Sequence, residues 1–399
     1  MFDLDSDDNG CFDAIEGSLS FTDADIDSTG KLTGSVTVDG IPTVAGVGQR
    51  NDMCIDDELS TCIELTDAGT GDMSGGQDTS DGWASTWVDI DGDNDEDLFM
   101  CNRDLTKPNR VYINNDDGTF TKDMSTGLSE HNDETIAALF GDYDNDGDQD
   151  CYILNATRSR CRLYKNNGSG DFTEERNVGL PEEPQYFHSG AWADLDNDGY
   201  LDLVLASYFG TKLHQVYQNQ GDGNFRRRND CSIGRSKSKA SAVCITDYNN
   251  DGLPDVFIPN ANSERNFLFK NKGQFEFEKI TTGDICTDEN NSVAATWGDY
   301  DNDGYQDCYV VNASNQTNNL YKNNGDESFT KITSSAIVTN TGDNHSANWY
   351  DYDNDGDVDM FVTNDQGRNC LYTNNSGSFT KSTERTFLTY NSRNTMGAA

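Results

Sequence analysis

The sequence predicts an all-β protein, a β-propeller of four-stranded blades, and three observations carry that prediction. An acidic nonapeptide recurs six times, beginning at Asp89, Asp142, Asp194, Asp247, Asp299 and Asp351, at intervals of 53, 52, 53, 52 and 52 residues. Each copy is followed at once by a short run rich in β-branched and aromatic residues: LFMCN, CYILN, LVLAS, VFIPN, CYVVN and MFVTN. An aromatic then recurs about 22 residues into each unit, at Tyr112, Tyr164, Tyr217, Phe269, Tyr321 and Tyr372. Self-similarity at such a period marks a repeat architecture.

The elements follow in order. The first strand of each unit closes on a large apolar residue two before the nonapeptide: Trp87, Phe140, Trp192, Ile245, Trp297 and Trp349. Small residues precede it, as in Ala137-Ala138 and Ala294-Ala295, where inner strands could crowd together. The second strand is the run after the loop, too short for a helix and of strand composition. The third holds the recurring aromatic. An Asn-Gly turn follows (KNNG in two units), and a fourth strand carries Phe120, Phe172, Phe225, Phe329 or Phe379. Four-stranded units at this spacing bury their faces against one another as propeller blades; a linear β-solenoid, the rival reading, normally has shorter repeats.

Six loops account for six blades. Residues 392–399 resemble the approach to a further loop, and Cys62 to Thr66 (CIELT) resemble the strand that ends a blade. The expectation is therefore seven blades in an intact domain that is truncated here at its C-terminus, with a six-bladed ring and a trailing tail as the alternative. The domains read as 1–16, an acidic repeat; 17–60, an extended Gly-, Thr- and Val-containing connector; and 61–399, the propeller.

Within each nonapeptide, carboxylate or amide side chains stand at positions 1, 3, 5 and 9. These are Asp89, Asp91, Asp93 and Asp97; Asp142, Asp144, Asp146 and Asp150; Asp194, Asp196, Asp198 and Asp202; Asp247, Asn249, Asp251 and Asp255; Asp299, Asp301, Asp303 and Asp307; and Asp351, Asp353, Asp355 and Asp359. Position 7 would contribute its backbone carbonyl, so its side chain is free to vary: Asp95, Asp148, Tyr200, Leu253, Tyr305 and Asp357. Position 6 needs a sharp turn and is Gly in every loop but the first, which has Asn94. An all-oxygen shell on a flexible loop selects a hard cation, and this one suits calcium. The same spacing appears in Asp5, Asp7, Asn9 and Asp13. About six calcium ions are expected in the propeller and one more at the N-terminus. A polar turn without an ion would explain one such loop but not six. An EF-hand would need an acidic position 12 and a helix, where loop two has Ile153 in a strand. Loop four is the weakest site, with Asn249 at position 3 and Pro254 at position 8.

These motifs, W-x-D-x-D-x-D-G-x-x-D followed by Leu-Tyr-x-Asn-Asn-Gly and Phe-Thr, resemble the FG-GAP/VCBS repeat family, which includes the integrin α-subunit propeller. The resemblance spans roughly Trp83 to Ala399 and implies calcium at positions 1, 3, 5 and 9, usually seven blades, and an extracellular role in adhesion or ligand binding. Loop one departs from the pattern, with Gly92 at position 4 and Asn94 at position 6, which bears on its geometry. Residues 3–16 resemble a thrombospondin type 3 calcium repeat.

Charge supports the ion-loaded reading. With 71 acidic and 28 basic residues the formal charge is −43, yet 19 Phe, 17 Tyr and 5 Trp argue for a packed protein. Such a chain needs neutralising cations to fold, and it would repel nucleic acid. No apolar run approaches the length of a membrane span, so no membrane insertion is expected. The cysteine count of eleven is odd; Cys151 and Cys308 fill a position held elsewhere by Leu98, Leu203, Val256 and Met360 and read as buried hydrophobes, while Cys54 and Cys62 form the candidate local pair. Asn155, Asn312 and Asn344 open glycosylation sequons. His188 and His345, each six residues before a loop, read as polar edge residues or as part of a surface near the central channel. Arg226, Arg227, Arg228, Arg235, Lys237 and Lys239 break the acidic background, read as a solvated segment or as a docking site for an acidic partner or polysaccharide. The sequence contains no G-x-S-x-G, H-E-x-x-H or phosphate-cradling loop. The functional expectation is a non-enzymatic, secreted or cell-surface calcium-binding propeller that engages an unknown protein or glycan, alongside other domains of a longer chain. The alternatives are the propeller of an extracellular polysaccharide-degrading enzyme and a stiff surface stalk.

Overall fold

The computed structural model describes residues 82–382 apart from 157–158, 186, 340 and 365–368. The N-terminal acidic repeat with Asp5, Asp7, Asn9 and Asp13, the connector, the Cys54–Cys62 pair and the segments expected to build a seventh blade all lie outside the described residues. Within them stand six antiparallel four-stranded sheets, so the described residues form an all-β propeller of six blades. Blade three is representative, with strands Phe187–Ala193, Asp202–Ser207, Gln215–Asn219 and Phe225–Arg227. The innermost strands of the other blades are Gly82–Val88, Thr135–Gly141, Cys244–Thr246, Ser292–Gly298 and Asn344–Tyr350. As the sequence requires, every nonapeptide joins a first strand to a second.

The second strands are the core. All six residues of Asp202–Ser207, of Asp150–Asn155 and of Asp307–Asn312 are buried, as an apolar run flanked by two strands and covered on both faces must be. The recurring aromatics Tyr164, Tyr217, Phe269, Tyr321 and Tyr372 are at most 3% exposed. Cys151 and Cys308 are fully buried and free, as expected of small hydrophobes, and all eight described cysteines are free.

Blade-to-blade packing explains the loop-flanking residues. The Tyr at position 2 of one loop stacks on the Trp of the next blade, Tyr143 on Trp192 at 6.4 Å and Tyr300 on Trp349 at 6.4 Å, and the final Phe225 or Phe379 closes each trio. The residue before the loop lies under that Trp: a Cβ on Gly298 would meet Trp349 Cδ1 at 2.6 Å. Trp192 also donates its indole N–H to the Leu139 carbonyl of the preceding blade.

Asn155, Asn312 and Asn344, three of the sequon asparagines, are fully buried. Two of them donate to backbone carbonyls, Asn155 to Arg160 and Asn312 to Thr317, so these side chains are structural and closed to glycosylation in the folded state.

Candidate metal centres and the loop face

Each nonapeptide is a rigid frame held by two of its carboxylates. The position 1 Asp accepts the amide of position 6 in all six loops, at 2.8–3.0 Å. Its other oxygen takes the position 5 amide in loops two to five. This tight wrap needs left-handed backbone. Position 6 has it, with φ from 73° to 99°, and so does position 4, with φ from 56° to 81°. Because both positions are left-handed in every loop, exchanging Gly and Asn between them in loop one leaves the frame intact.

The position 9 Asp is the second anchor. Asp97, Asp150, Asp202, Asp255, Asp307 and Asp359 are at most 1% exposed. Each accepts the amide of an Asn at the end of the third strand, from Asn114, Asn166, Asn219, Asn271, Asn323 and Asn374, at 2.7–2.8 Å. In five loops the second oxygen takes the amide of position 2, namely Ile90, Tyr143, Leu195, Tyr300 and Tyr352. Burial nevertheless pushes the Asp97 carboxyl up to about 6, those of Asp150, Asp255 and Asp307 to about 7, and that of Asp202 to about 8. Desolvation outweighs the amide donors, and neighbouring carboxylates add to it.

At position 3 one carboxylate oxygen stays unmatched in four loops. One oxygen each of Asp91, Asp144, Asp196 and Asp301 is buried without a hydrogen-bond partner. A buried anionic acceptor left unpaired is costly, and the same atom is left so in four loops. Carboxylate oxygens lie within 4.8 Å of one another in groups that could hold a metal ion: Asp89, Asp91 and Asp97; Asp142, Asp144 and Asp146; Asp194, Asp196 and Asp202; Asp299, Asp301 and Asp303; and Asp351, Asp353 and Asp355. The donor set is all oxygen, hard and anionic, so it fits a hard divalent ion. Position 5 contributes Asp93, Asp146, Asp198, Asp251, Asp303 and Asp355, whose Oδ1 takes the position 7 amide in loops one to five. In loop four the inward atom is the Asn249 amide nitrogen, a donor facing no acceptor; with Asp247, Asp251 and Asp255 around it, that set fits a cation worst.

Three features were not visible in the spacing. Lys165 and Lys322 place their ammonium groups on the position 3 and position 5 carboxylates of loops two and five, Lys165 on Asp144 and Asp146, Lys322 on Asp301 and Asp303. Gln218 donates to Asp196 in loop three. Position 7 is more than a carbonyl donor, since Tyr200 and Tyr305 cover the turn glycines Gly221 and Gly325 so closely that a Cβ there would lie within 2.8 Å of their rings. Asp148 covers Gly168 in the same way, Leu253 sits looser over Gly273, and both oxygens of Asp95 are buried unpartnered.

The loops are also tied to one another. The position 4 amides Asn145 and Asn250 donate to the position 6 carbonyls of the following loops, Gly199 and Gly304, and Asn302 donates to Asp357. The third-strand Asn donates across to the position 2 carbonyl of the preceding blade: Asn166 to Ile90, Asn219 to Tyr143, Asn271 to Leu195, Asn323 to Tyr248 and Asn374 to Tyr300, at 2.6–2.9 Å. Each carboxylate frame is thereby coupled to the next through neutral side chains.

His188 and His345 stand on innermost strands as expected; His188 is half-buried, bonded through Nδ1 to the Ser241 carbonyl and ring-packed on Tyr208. The six basic residues do not form one patch. Arg228 is bound to Asp230 and Gln218 and lies over the Phe275 ring, while Lys239 lies 3.9 Å from Glu264. Arg226, Arg227, Arg235 and Lys237 are exposed. A groove of about 580 Å³ opens between blades four and five, lined by residues that include Thr246, Asp247, Asn250, Thr296, Trp297 and Gln306. The Trp297 indole N–H is buried there without an acceptor. Among the described residues no helix is long and apolar enough to cross a membrane.

Comparison with known proteins agrees with this geometry. The FG-GAP-like repeat model matches six times, over residues 89–153, 142–205, 202–258, 247–310, 299–362 and 351–399. No curated protein matches the chain. Among solved structures, the chain is similar to an Agrocybe aegerita lectin described in its specific recognition of non-reducing terminal N-acetylglucosamine, at 18% identity and a TM-score of 0.54, covering 76% of this chain and 79% of the lectin. It is also similar to part of the Photorhabdus luminescens Tc holotoxin pore, at 16% identity and a TM-score of 0.41, covering 74% of this chain and 15% of that one. At these identities the likeness concerns the fold. The six family matches run from Asp89 to Ala399, and the chain belongs to the FG-GAP-like repeat family.

Proposed function

We propose that this chain is an extracellular or cell-surface ligand-binding propeller whose nonapeptides hold structural calcium. The observation that carries the proposal is the repeated buried, unpartnered oxygen at position 3, pointing into a frame built from carboxylates. Calcium bound there would supply charge neutralisation and oxygen coordination; Asp at positions 1, 3, 5 and 9, with the position 7 carbonyl, would hold it. The chain's own residues do the rest: position 1 sets the loop, position 9 anchors it to the sheet, and the third-strand Asn joins it to its neighbour. Sites so embedded in the scaffold stabilise rather than react. Ligand recognition would then fall to the other surfaces, and the similar lectin favours a glycan as the ligand class. The extracellular setting is the one in which millimolar calcium keeps modest-affinity sites filled.

A glycan array probed with calcium-loaded protein and with chelated protein tests this reading. Binding of a defined glycan class in calcium, lost on chelation, is the expected result. Turnover of a polysaccharide would replace the binding module with an enzyme, and equal binding in both conditions would remove calcium from the account.

A further inference from the structure

The acidic loops all join first to second strands, so the connections between second and third strands emerge at the opposite rim of the blades. In blade three that connection runs from Tyr208 to His214. It contains two of the exposed large hydrophobic residues among those described, Phe209 at 50% and Leu213 at 42%, with exposed Lys212 between them. The segment entering blade four runs beside it. Gly210 donates to the Ser238 carbonyl, His214 to Ser236, and Ala240 to Ser207, which zips the two stretches together and sets exposed Arg235 and Lys237 next to the aromatic loop. Lys212, Arg235 and Lys237 form no ion pair among the described residues. Tyr208 packs its ring on His188 at 5.1 Å and on Phe209 at 6.1 Å, edge to face, which holds the aromatic plate in place.

Three unpaired cations around a fixed aromatic and apolar tip is an unusual surface on a chain of charge −43. Several basic side chains elsewhere are spent on carboxylates, as in Lys165, Lys270 and Lys322. We infer that this rim of blade three, formed by Tyr208, Phe209, Lys212, Leu213, Arg235 and Lys237, docks a polyanionic polysaccharide. Sugar rings stack on the aromatic and apolar plate, and sulfate or uronate groups pair with the three cations. An anionic bilayer offers the same charge, but two half-exposed apolar side chains give little area to insert. The inference rests on the ligand-binding reading above and names its ligand class.

The test is binding of the calcium-loaded protein to immobilised heparin and to polygalacturonate, as sulfate and carboxylate arms, with dextran as the neutral control. The expected result is retention on at least one polyanion that weakens steeply with added salt. The triple variant Lys212→Ser/Arg235→Ser/Lys237→Ser should lose tenfold or more in affinity, and Phe209→Ser/Leu213→Ser should lose several-fold with the salt dependence preserved. Unchanged melting temperatures verify that the variants fold, since every substituted residue is exposed. Binding that persists undiminished in the triple variant would mean calcium bridging at the acidic face and would overturn the inference. Binding to neutral glycans alone would overturn it while leaving the ligand-binding reading intact. Capture by phosphatidylserine vesicles without polysaccharide binding, or sedimentation showing cation-dependent self-association in its place, would assign the patch to a membrane or to a second copy.

Discussion

Replacing Asn219 by Ala should destabilise the propeller far more than replacing its neighbour Gln220. Asn219 is 1% exposed and sits at the end of the third strand of blade three. Its Nδ2 donates to the Tyr143 carbonyl of blade two at 2.7 Å and to the Leu201 carbonyl at 3.1 Å, and its Oδ1 accepts the Gly221 amide at 3.0 Å. Alanine removes three hydrogen bonds at once. Each is worth about 1 kcal/mol net, with more lost where a buried carbonyl stays unpaired, so the total is about 3–4 kcal/mol. For a domain of this size, with an unfolding entropy near 2.1 cal/mol/K per residue, that corresponds to a fall of about 5 °C in Tm. Gln220 is exposed and its side-chain bonds are long, 3.3 and 3.4 Å, so Gln220→Ala should move Tm by less than about 1 °C. Differential scanning calorimetry in saturating calcium reads both. Equal shifts for the two variants, or a shift under 1 °C for Asn219→Ala, would refute the assignment of this side chain as the blade-to-blade clip.

Further predictions rest on other contacts. Gly298→Ala drives a Cβ to 2.6 Å from the Trp349 ring and should cost about 1–3 kcal/mol by overpacking the junction of blades five and six, seen as a lower urea midpoint. Lys165→Met removes an ammonium from the Asp144–Asp146 pair; repulsion between a single and a double positive charge a few ångströms apart exceeds ~1 kcal/mol even in water, so loop two should bind calcium roughly tenfold tighter by titration calorimetry. His214 is buried, accepts the Ser207 amide and faces Ser238, the Phe267 ring and the charge of Lys279; burial chiefly, then Lys279, lowers its pKa to about 4. Its folded pKa lies below the unfolded value near 6.5, so its contribution is present above pH 6.5 and is lost as pH falls toward 4, by up to about 3 kcal/mol. The Tm advantage of the wild type over His214→Gln should therefore shrink between pH 7 and pH 5, whatever the rest of the molecule does with pH.

The blades and their loops were legible because their signals are local. Alternation of carboxylates at positions 1, 3, 5 and 9, a turn glycine at position 6 and a β-rich run immediately after are readable within a dozen residues. The same locality hid the clips. Asn166 and its partner Ile90 are 76 residues apart, and in the sequence KNNG reads only as a turn. The variable position 7 read as a spectator for a similar reason: the glycine that Tyr200 covers, Gly221, stands in another turn, and only the fold brings them together. The basic cluster shows the opposite failure. Six cations close in sequence separate in space, with Arg228 turned onto Asp230 and Phe275, while backbone bonds from Gly210 and His214 to Ser238 and Ser236 bring a different strand connection beside Arg235 and Lys237.

If the loops are structural cation sites that make a chain of charge −43 foldable, calcium must add to the stability of the fold. At calcium a hundredfold above its dissociation constant, each site adds about 2.7 kcal/mol to the folded state. The five loops with gathered carboxylates then contribute on the order of 13 kcal/mol together, or roughly 20 °C in Tm. Thermal unfolding of the same protein in calcium and in EDTA measures this directly. Calcium should raise Tm by a large step that magnesium at equal concentration does not reproduce; superimposable melting curves in calcium and in EDTA would show that no cation in these loops supports the fold.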